Sequence, residues 1–251
     1  MDSDTATFNI TIPAPKVNLT ASTTTASEAG TTAIIFTANA EGNVVGDQTV
    51  NLALTGTAIP ADFTTTIPAK ITIPNGSNTG QVTLTVNDDF LVEGAETATL
   101  TISNPSTGIA LGTTTNQSVT ITDNDTKGIT VTPTTGLTTT EAGGKATFTV
   151  VLNSQPTADV TIPLTSSNTA EGTIDKTSLT FTAANWNTPQ TVTVTGVNDS
   201  VDDGDIAYNI VTATATSTDT NYSGFDASDV AVTNTDNDTK GITVTPTTGL
   251  T

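Results

Sequence analysis

The acidic residues of this chain fall in short groups that recur at a fixed spacing. Asp123 and Asp125 lie in the motif TDND, and Asp236 and Asp238 lie in an identical copy 113 residues further on. The 251-residue chain has 25 acidic residues but neither histidine nor cysteine. Carboxylate oxygens suit Ca²⁺, which takes about 6 to 8 oxygen ligands, whereas zinc and copper prefer nitrogen or sulfur. The chemistry that these residues offer is the binding of a hard cation.

Eight acidic residues occupy four motifs in the first half of the chain, between predicted strands or at strand ends. The motifs are SEAG, PADF, NDDFLVEGAE and DND, and they contain Glu28, Asp62, Asp88, Asp89, Glu93, Glu96, Asp123 and Asp125. In a sandwich whose loops gather at one end, these carboxylates would repel one another and raise one another's pKa. A divalent cation relieves that repulsion. Mg²⁺ fits less well than Ca²⁺ because it requires a tighter octahedron and keeps water.

The second half of the chain repeats this distribution with eight acids of its own. Glu141 in TEAGG lies 113 residues after Glu28, and Glu171 in AEGT is the candidate counterpart of Asp62. A solvated acidic rim would explain scattered carboxylates, but the repeated positions favour metal binding. With Asp2 and Asp4, the motifs of both halves hold 18 of the 25 acidic residues. The candidate ligands of the second half are Glu141, Glu171, Asp199, Asp202, Asp203, Asp205, Asp236 and Asp238.

The overall charge restricts the partners of the chain. Six basic residues against 25 acidic ones give a net charge of −19, which excludes the positive surface that nucleic acids and anionic lipids require. No apolar run reaches the roughly 20 residues that span a bilayer, so we expect no membrane insertion. The first residues do not resemble a signal peptide, so any export signal is expected in a longer parent chain. The lack of cysteine fits a bacterial surface protein, although it would also fit a cytosolic one.

Paired carboxylates also occur in glycoside hydrolases, and Glu93 with Glu96, or Asp202 with Asp205, offers such a pair. That chemistry needs a substrate cleft, which the end of a small sandwich rarely provides. The chain has no histidine, no cysteine and no G-x-S-x-G motif, so the common nucleophiles and bases are missing. We therefore predict that the protein is not an enzyme.

A 17-residue stretch, TDNDTKGITVTPTTGLT, occurs at residues 122–138 and again at residues 235–251. Self-similarity at a fixed period marks an array of modules. The repeat predicts one module at residues 15–126 and a second at residues 127–239. The remaining residues would belong to neighbouring repeats of a longer chain, as the tail of a preceding repeat (1–14) and the first strand of a following one (240–251).

Between the acidic motifs, apolar residues alternate with threonine and other polar residues. Examples are Val50, Leu52 and Leu54 in TVNLALT, and Phe148 and Val150 in KATFTVVLN. A period of two with one apolar face is typical of half-buried strands. About seven such segments per module predict an all-β fold with two tandem antiparallel seven-stranded immunoglobulin-like β-sandwiches, end to end.

The motifs together resemble those of the Calx-beta domain family, which occurs in sodium/calcium exchangers and in large bacterial and cyanobacterial surface proteins. The resemblance covers nearly all of residues 15–239, and its marks in the first module are SEAG, GTAIPADF, VNDDFLVEGAETATLTISNP and ITDND. Calcium-binding members take their ligands from these four places, which implies the eight first-module acids as ligands. The second module departs from the pattern, since it lacks the Asp-aromatic pair and its NDSVDDGD is read as shorter than NDDFLVEGAE.

The resemblance and the acidic motifs predict calcium-binding spacer repeats of a large extracellular or cell-surface protein, with Ca²⁺ at the module ends making the array rigid. The expected partners are calcium ions and neighbouring repeats of the same chain, and the isolated fragment is expected to be a monomer. The alternative is an adhesive module that binds carbohydrate, ice or another cell. Only 4% of the residues are aromatic, and Trp186 is interpreted as a packing residue rather than a sugar-stacking platform.

Overall fold

The computed structural model describes residues 13–249, which form two compact units. The division falls after Asn124, and the short segment Phe90–Val92 groups with the second unit. Each unit is built from two β-sheets, which confirms the predicted all-β sandwich class. Within residues 13–249 no helix is long and apolar enough to cross a membrane. Asp2 and Asp4 lie outside the described residues, as does most of the predicted tail of a preceding repeat.

The first module has nine strands, which are β1 (Lys16–Ala21), β2 (Thr25–Ser27), β3 (Ala33–Ala40), β4 (Gln48–Gly56), β5 (Lys70–Ile73), β6 (Thr79–Thr85), β7 (Glu96–Ser103), β8 (Ala110–Leu111) and β9 (Asn116–Thr122). One sheet has the order β6-β3-β1-β8, and the other has the order β2-β9-β7-β4-β5. A 3₁₀ turn, Pro60–Asp62, lies between β4 and β5. The inner faces of both sheets form one apolar core.

The second module also has nine strands, which are β10 (Ile129–Thr132), β11 (Leu137–Thr140), β12 (Lys145–Leu152), β13 (Val160–Ser166), β14 (Gly172–Ile174), β15 (Ser178–Phe181), β16 (Gln190–Gly196), β17 (Ile206–Thr212) and β18 (Val230–Thr235). Its sheets have the orders β10-β12-β16-β14 and β11-β18-β17-β13-β15. They enclose a core of their own.

The structure has nine strands per module where the alternation predicts about seven, and three of the described pairs are parallel. One cause is that the first strand of each module is broken into two pieces. In the second module β10 pairs with β12 in one sheet, whereas β11 pairs with β18 in the other. The break contains Pro133, which has no N–H to donate, and Gly136, whose φ of 78° suits glycine. A pattern of period two cannot show that a strand changes sheets.

Burial confirms the predicted alternation. Val50 and Leu100 in the first module are fully buried, as is Val192 in the second. Phe148 is 1% exposed, and the threonines beside these residues are more exposed. Each large apolar side chain that is fully buried stabilises the fold by about 1.5–3 kcal/mol. Trp186 is 9% exposed and packs in the second core, which confirms its interpretation as a packing residue.

Residues 240–249 form no strand, although the sequence predicts one. Residues 241–249 are identical to residues 128–136, where β10 pairs with β12 and Val131 is 9% exposed. In the C-terminal copy the equivalent Val244 is 65% exposed. A strand needs a neighbouring strand to form hydrogen bonds with its backbone N–H and C=O groups. Within the described residues, no strand pairs with this C-terminal copy. That the segment begins another module stays a prediction.

These two copies allow the same substitution to be made in the same local sequence. We expect Val131→Asp to destabilise the second module by about 3 kcal/mol, because it puts a carboxylate into an apolar core. Val244→Asp, at the exposed copy, should leave the melting temperature unchanged. Thermal unfolding followed by circular dichroism measures the difference. Equal destabilisation by the two variants would show that residues 240–249 pack as their copy does.

Candidate metal centres

The strand topology brings the acidic motifs of the first module to one end of the sandwich. β2 and β9 run parallel, with Ser27 opposite Thr122, so the segments that follow them emerge side by side. β7 is antiparallel to β9 and begins opposite its end, with Glu96 across from Ile121. The acids that follow β2 and β9 therefore meet those at the start of β7.

Four groups of three carboxylates result, two in each module. Within each group, one oxygen from each residue lies within 4.8 Å of the others, which is close enough to share a cation. We name these groups site A (Glu28, Asp123, Asp125), site B (Asp62, Glu93, Glu96), site C (Glu141, Asp236, Asp238) and site D (Glu171, Asp199, Asp203).

Two predicted ligands of the first module lie outside sites A and B. Asp88 accepts a hydrogen bond from the side-chain amide of Asn124 at 3.3 Å. Asp89 lies close enough to Glu93 for its charge to raise the pKa of that residue. Both therefore flank the sites, and a role as ligands stays a prediction.

Two predicted ligands of the second module also lie outside the groups. Asp202 accepts a hydrogen bond from the backbone N–H of Lys240 at 2.6 Å. Asp205 accepts one from the backbone N–H of Asp236 at 3.1 Å. These carboxylates hold the segment that follows β18, and their direct contact with a metal stays a prediction.

Backbone N–H groups hold the first aspartate of each DND motif. Oδ2 of Asp123 accepts hydrogen bonds from the N–H groups of Glu93 and Gly94 at 2.8 and 2.9 Å. Oδ2 of Asp236 accepts one from Gly204 at 2.8 Å. Gly94 and Gly204 have φ values of 82° and 80°, which other residues rarely adopt. The acidic loop before β7 is thereby fastened to the end of β9, and the loop before β17 to the end of β18.

Hydrogen bonds also show how the acidic loops of the two modules correspond. The N–H of Asn87 donates to the carbonyl of Asp62 at 2.8 Å, and that of Val197 donates to the carbonyl of Glu171 at 2.9 Å. The two donors, Asn87 and Val197, are 110 residues apart, and the same spacing separates Gly94 from Gly204, the donors of the glycine hydrogen bonds described above. Glu171 is therefore the structural counterpart of Asp62. The loops that follow have the same length, so reading NDSVDDGD as a shortened loop is wrong.

This register changes which acids correspond. The letters VND match at an offset of 111 and would pair Asp88 with Asp199, whereas the hydrogen bonds pair Asp89 with Asp199. The same register places Ile206 where the first module has Glu96, as the strand pairing also shows. Site D therefore has no counterpart of Glu96 and takes its third carboxylate from Asp199.

Burial and crowding raise the pKa values of two acids in site B. Burial raises the pKa of Glu93, and neighbouring charges, with Asp62 foremost, raise it further. Burial likewise raises the pKa of Glu96 to about 7, with contributions from a hydrogen bond with Asp62 and from the charges of Asp62, Glu93 and Glu28. Site B thus holds more negative charge than the folded protein alone accommodates near neutral pH.

Site C shows the same crowding. A hydrogen bond from Asn237 lowers the pKa of Glu141, but burial and nearby aspartates outweigh it, so that the pKa is raised. Hydrogen bonds from the N–H groups of Asp238 and Gly204 lower the pKa of Asp236 and keep it charged.

Buried oxygens without hydrogen bonds occur in both modules. Oε2 of Glu96 in site B and Oδ2 of Asp238 in site C accept no hydrogen bond within the described part of the chain. Leaving a buried acceptor unpaired costs about 1–3 kcal/mol, and more for a charged group. Groups that offer only oxygen ligands, some of them unpaired, fit a hard cation such as Ca²⁺.

The chain is similar to one protein family and to several solved structures. The Calx-beta domain family matches residues 13–125 and again residues 123–238. The crystal structure of CBD12 from CALX1.2 is 16% identical and covers 83% of this chain and 95% of that chain, with a TM-score of 0.40. The crystal structure of calcium binding domain CBD12 of CALX1.1 is 19% identical and covers 76% and 77%, with a TM-score of 0.37. No curated protein sequence matches this chain.

The raised pKa of Glu96 predicts that the metal-free first module loses stability as the pH rises. The folded-state pKa of about 7 lies above the ordinary 4.5, so the folded state holds the proton more tightly than the unfolded state. The stabilising contribution of that proton is present below pH 4.5 and is lost as the pH rises through 7. In chelator-treated protein, the fall in melting temperature over this range should be smaller in Glu96→Gln than in the wild type.

Glu41→Gln is the matched control for this measurement, because Glu41 is an exposed acid between β3 and β4. It should keep the pH profile of the wild type. Indistinguishable profiles for the wild type and Glu96→Gln would contradict the raised pKa.

Proposed function

The chain belongs to the Calx-beta domain family, and on that premise we propose that it is a pair of calcium-binding spacer repeats from a large extracellular or cell-surface protein. In this proposal sites A to D hold Ca²⁺ through their carboxylates. The bound ions fix the loops at the end of each module and make the array rigid.

Calcium binding is supported above all by the four groups of three carboxylates, whose oxygens lie within 4.8 Å of one another. Their mutual repulsion opposes folding, and a divalent cation supplies the missing positive charge. Ca²⁺ accepts carboxylates at about 2.3–2.6 Å in flexible geometry, so loops from different parts of the chain can supply its ligands. Because only the folded chain brings these loops together, binding should stabilise the fold.

The spacer role is supported by the position of site A in the sequence. Asp123 and Asp125 follow β9, and only three residues separate Asp125 from the start of β10 at Ile129. An ion held by these aspartates restrains the chain at the point where it passes to the next module. In the metal-free protein, the repulsion among the acids opposes a fixed path for that connection.

The extracellular location is proposed together with the expectation that these sites bind calcium weakly. Extracellular calcium-binding modules have dissociation constants on the order of 10⁻⁴ to 10⁻³ M, so they fill only where calcium is abundant. A chain without cysteine is compatible with that location. The matching family indicates no catalytic activity, and the proposal includes none.

We expect calcium to raise the melting temperature and a chelator to lower it. An ion that binds only the folded state adds RT ln(1 + [L]/Kd), which is about 2.7 kcal/mol at a hundredfold excess over Kd. Calorimetric melting of the protein in EGTA and in millimolar calcium measures the effect. Superimposable curves would refute calcium binding.

Substitutions should show how much of the calcium-dependent stabilisation comes from each module. Glu93→Gln in site B should remove more of the calcium-dependent stabilisation than Asp203→Asn in site D, because the first module keeps the complete family pattern. Each variant removes one carboxylate without changing the size of the side chain. Glu41→Gln again serves as the control at an exposed acid. A greater loss from Asp203→Asn would show that the second module binds calcium more tightly.

The spacer role predicts that calcium narrows the range of orientations of the two modules. Small-angle scattering should give a larger or better-defined maximum dimension in calcium than in chelator, because an ion in site A restrains the connecting residues. The double variant Asp123→Ala with Asp125→Ala should abolish that difference. If the scattering curves are the same for the wild type in calcium, the wild type in chelator and the double variant, the metal stabilises each module only locally.

A further inference from the structure

In the second module, a buried amide contacts one carboxylate of site D. The Nδ2 group of Asn234 donates a hydrogen bond to Oε2 of Glu171 at 3.2 Å. Asn234 is 1% exposed and Glu171 is 7% exposed, so water competes little for this bond. The amide is part of β18, whereas Glu171 lies directly before β14.

The side chain of Asn234 has no freedom to turn away. Its Nδ2 also donates to the carbonyl of Val197 at 3.1 Å, and its Oδ1 accepts from the hydroxyl of Thr139 at 3.0 Å. Thr139 in turn lies 3.2 Å from the hydroxyl of Tyr208. Both donors and the acceptor of the amide are therefore used, and rotation would leave buried polar groups unpaired.

The first module has no such amide. The residues at the positions of Thr139, Asn234 and Tyr208 are all apolar, namely Ala26, Ile121 and Ala98. Asp62, the counterpart of Glu171, is held from its own turn, since the N–H of Ile59 donates a hydrogen bond to its Oδ2 at 2.6 Å. The two modules therefore position equivalent carboxylates by different means.

Two glycines make room for the polar network. Gly172 and Gly196 pair with each other where the first module pairs Phe63 with Val86. A Cβ atom at Gly172 would overlap the hydroxyl of Tyr208, and one at Gly196 would come within 2.5 Å of Oδ1 of Asn234. The ring of Tyr208 thus replaces that of Phe63, which explains why the second module lacks an aromatic residue after its acid.

We infer that Asn234 is a positioning residue for site D, and that the cation affinity of this site depends on a buried amide that site B does without. The inference rests on the proposed calcium binding. A carboxylate has about four positions at which it can accept a bond, so Glu171 can bind an ion while it accepts from Asn234. Groups that orient a metal ligand in this way typically account for 10- to 100-fold in metal affinity.

Calcium titration of ¹⁵N-labelled protein tests the inference, because backbone amides report each site separately. The N–H of Val197, bonded to Glu171, reports site D, and the N–H of Asn237, bonded to Glu141, reports site C. In the double variant Thr139→Ala with Asn234→Ile, we expect the midpoint at Val197 to move to at least about tenfold higher calcium. The midpoint at Asn237 should move much less, because site C is affected by site D only through charge.

The double variant leaves the hydroxyl of Tyr208 without its partner Thr139, but it gives both substituted positions the apolar residues of the first module, which favours folding. If it nevertheless fails to fold, the wild type still decides the question. The side-chain amide signals of Asn234 should shift with the same calcium midpoint as Val197, since that amide is bonded to Glu171. Amide signals that do not respond to calcium would overturn the inference.

Other outcomes separate this inference from the proposed function. Equal midpoints at Val197 in the wild type and the variant would overturn the positioning role while calcium binding stands. A calcium-dependent shift of the Asn237 signal without one of the Val197 signal would likewise overturn the positioning role while calcium binding stands. If no reporter in the wild type responds to millimolar calcium, the proposed function fails, and the inference fails with it.

Discussion

The parallel pairing of a short first-strand segment with the last strand is the constraint on which sites A and C depend. β2 pairs with β9 so that Ser27 lies opposite Thr122, and β11 pairs with β18 so that Thr140 lies opposite Thr235. The residue that follows each of these four positions is acidic. Because parallel strands end side by side, these carboxylates meet in both modules. The break in the first strand makes this possible, since its first half pairs in the other sheet and its second half is free to join the last strand.

Much of this arrangement can be predicted from the sequence, because some features are recorded directly in residue types. A period of two records which face of a strand is buried, and the constant spacing of 113 records that Glu141, Asp236 and Asp238 repeat Glu28, Asp123 and Asp125. The residue types do not show that the first strand of each module passes from one sheet to the other. Nor do they show the register of the acidic loop, where the letters VND suggest one alignment and the backbone hydrogen bonds impose another. Residue types in a loop can change while its backbone hydrogen bonds stay the same. The hydrogen bonds therefore give the alignment of the two loops, and the residue types do not.

The second module shows how a site can be rebuilt without changing its framework. An apolar set of side chains around Phe63 is replaced by a polar set around Asn234, and two glycines offset the added volume of Tyr208. Any one of these changes alone would create a cavity, a clash or an unpaired buried group. The missing aromatic residue beside Glu171 is therefore a consequence of the new packing. It does not indicate that the site is lost, because three carboxylates still meet there.

The two sites of each module act on one another through their charges. The charge of Glu28 in site A contributes to the raised pKa of Glu96 in site B, and the charge of Asp199 in site D contributes to the raised pKa of Glu141 in site C. A divalent ion bound by three carboxylates leaves only a small net negative charge in its site. It therefore removes part of the repulsion that keeps protons on the neighbouring site, which then presents more fully ionised ligands to a second ion. If the sites bind calcium as proposed, calcium binding and proton release at the end of a module form one coupled equilibrium, in which the affinity of each site depends on the state of the other.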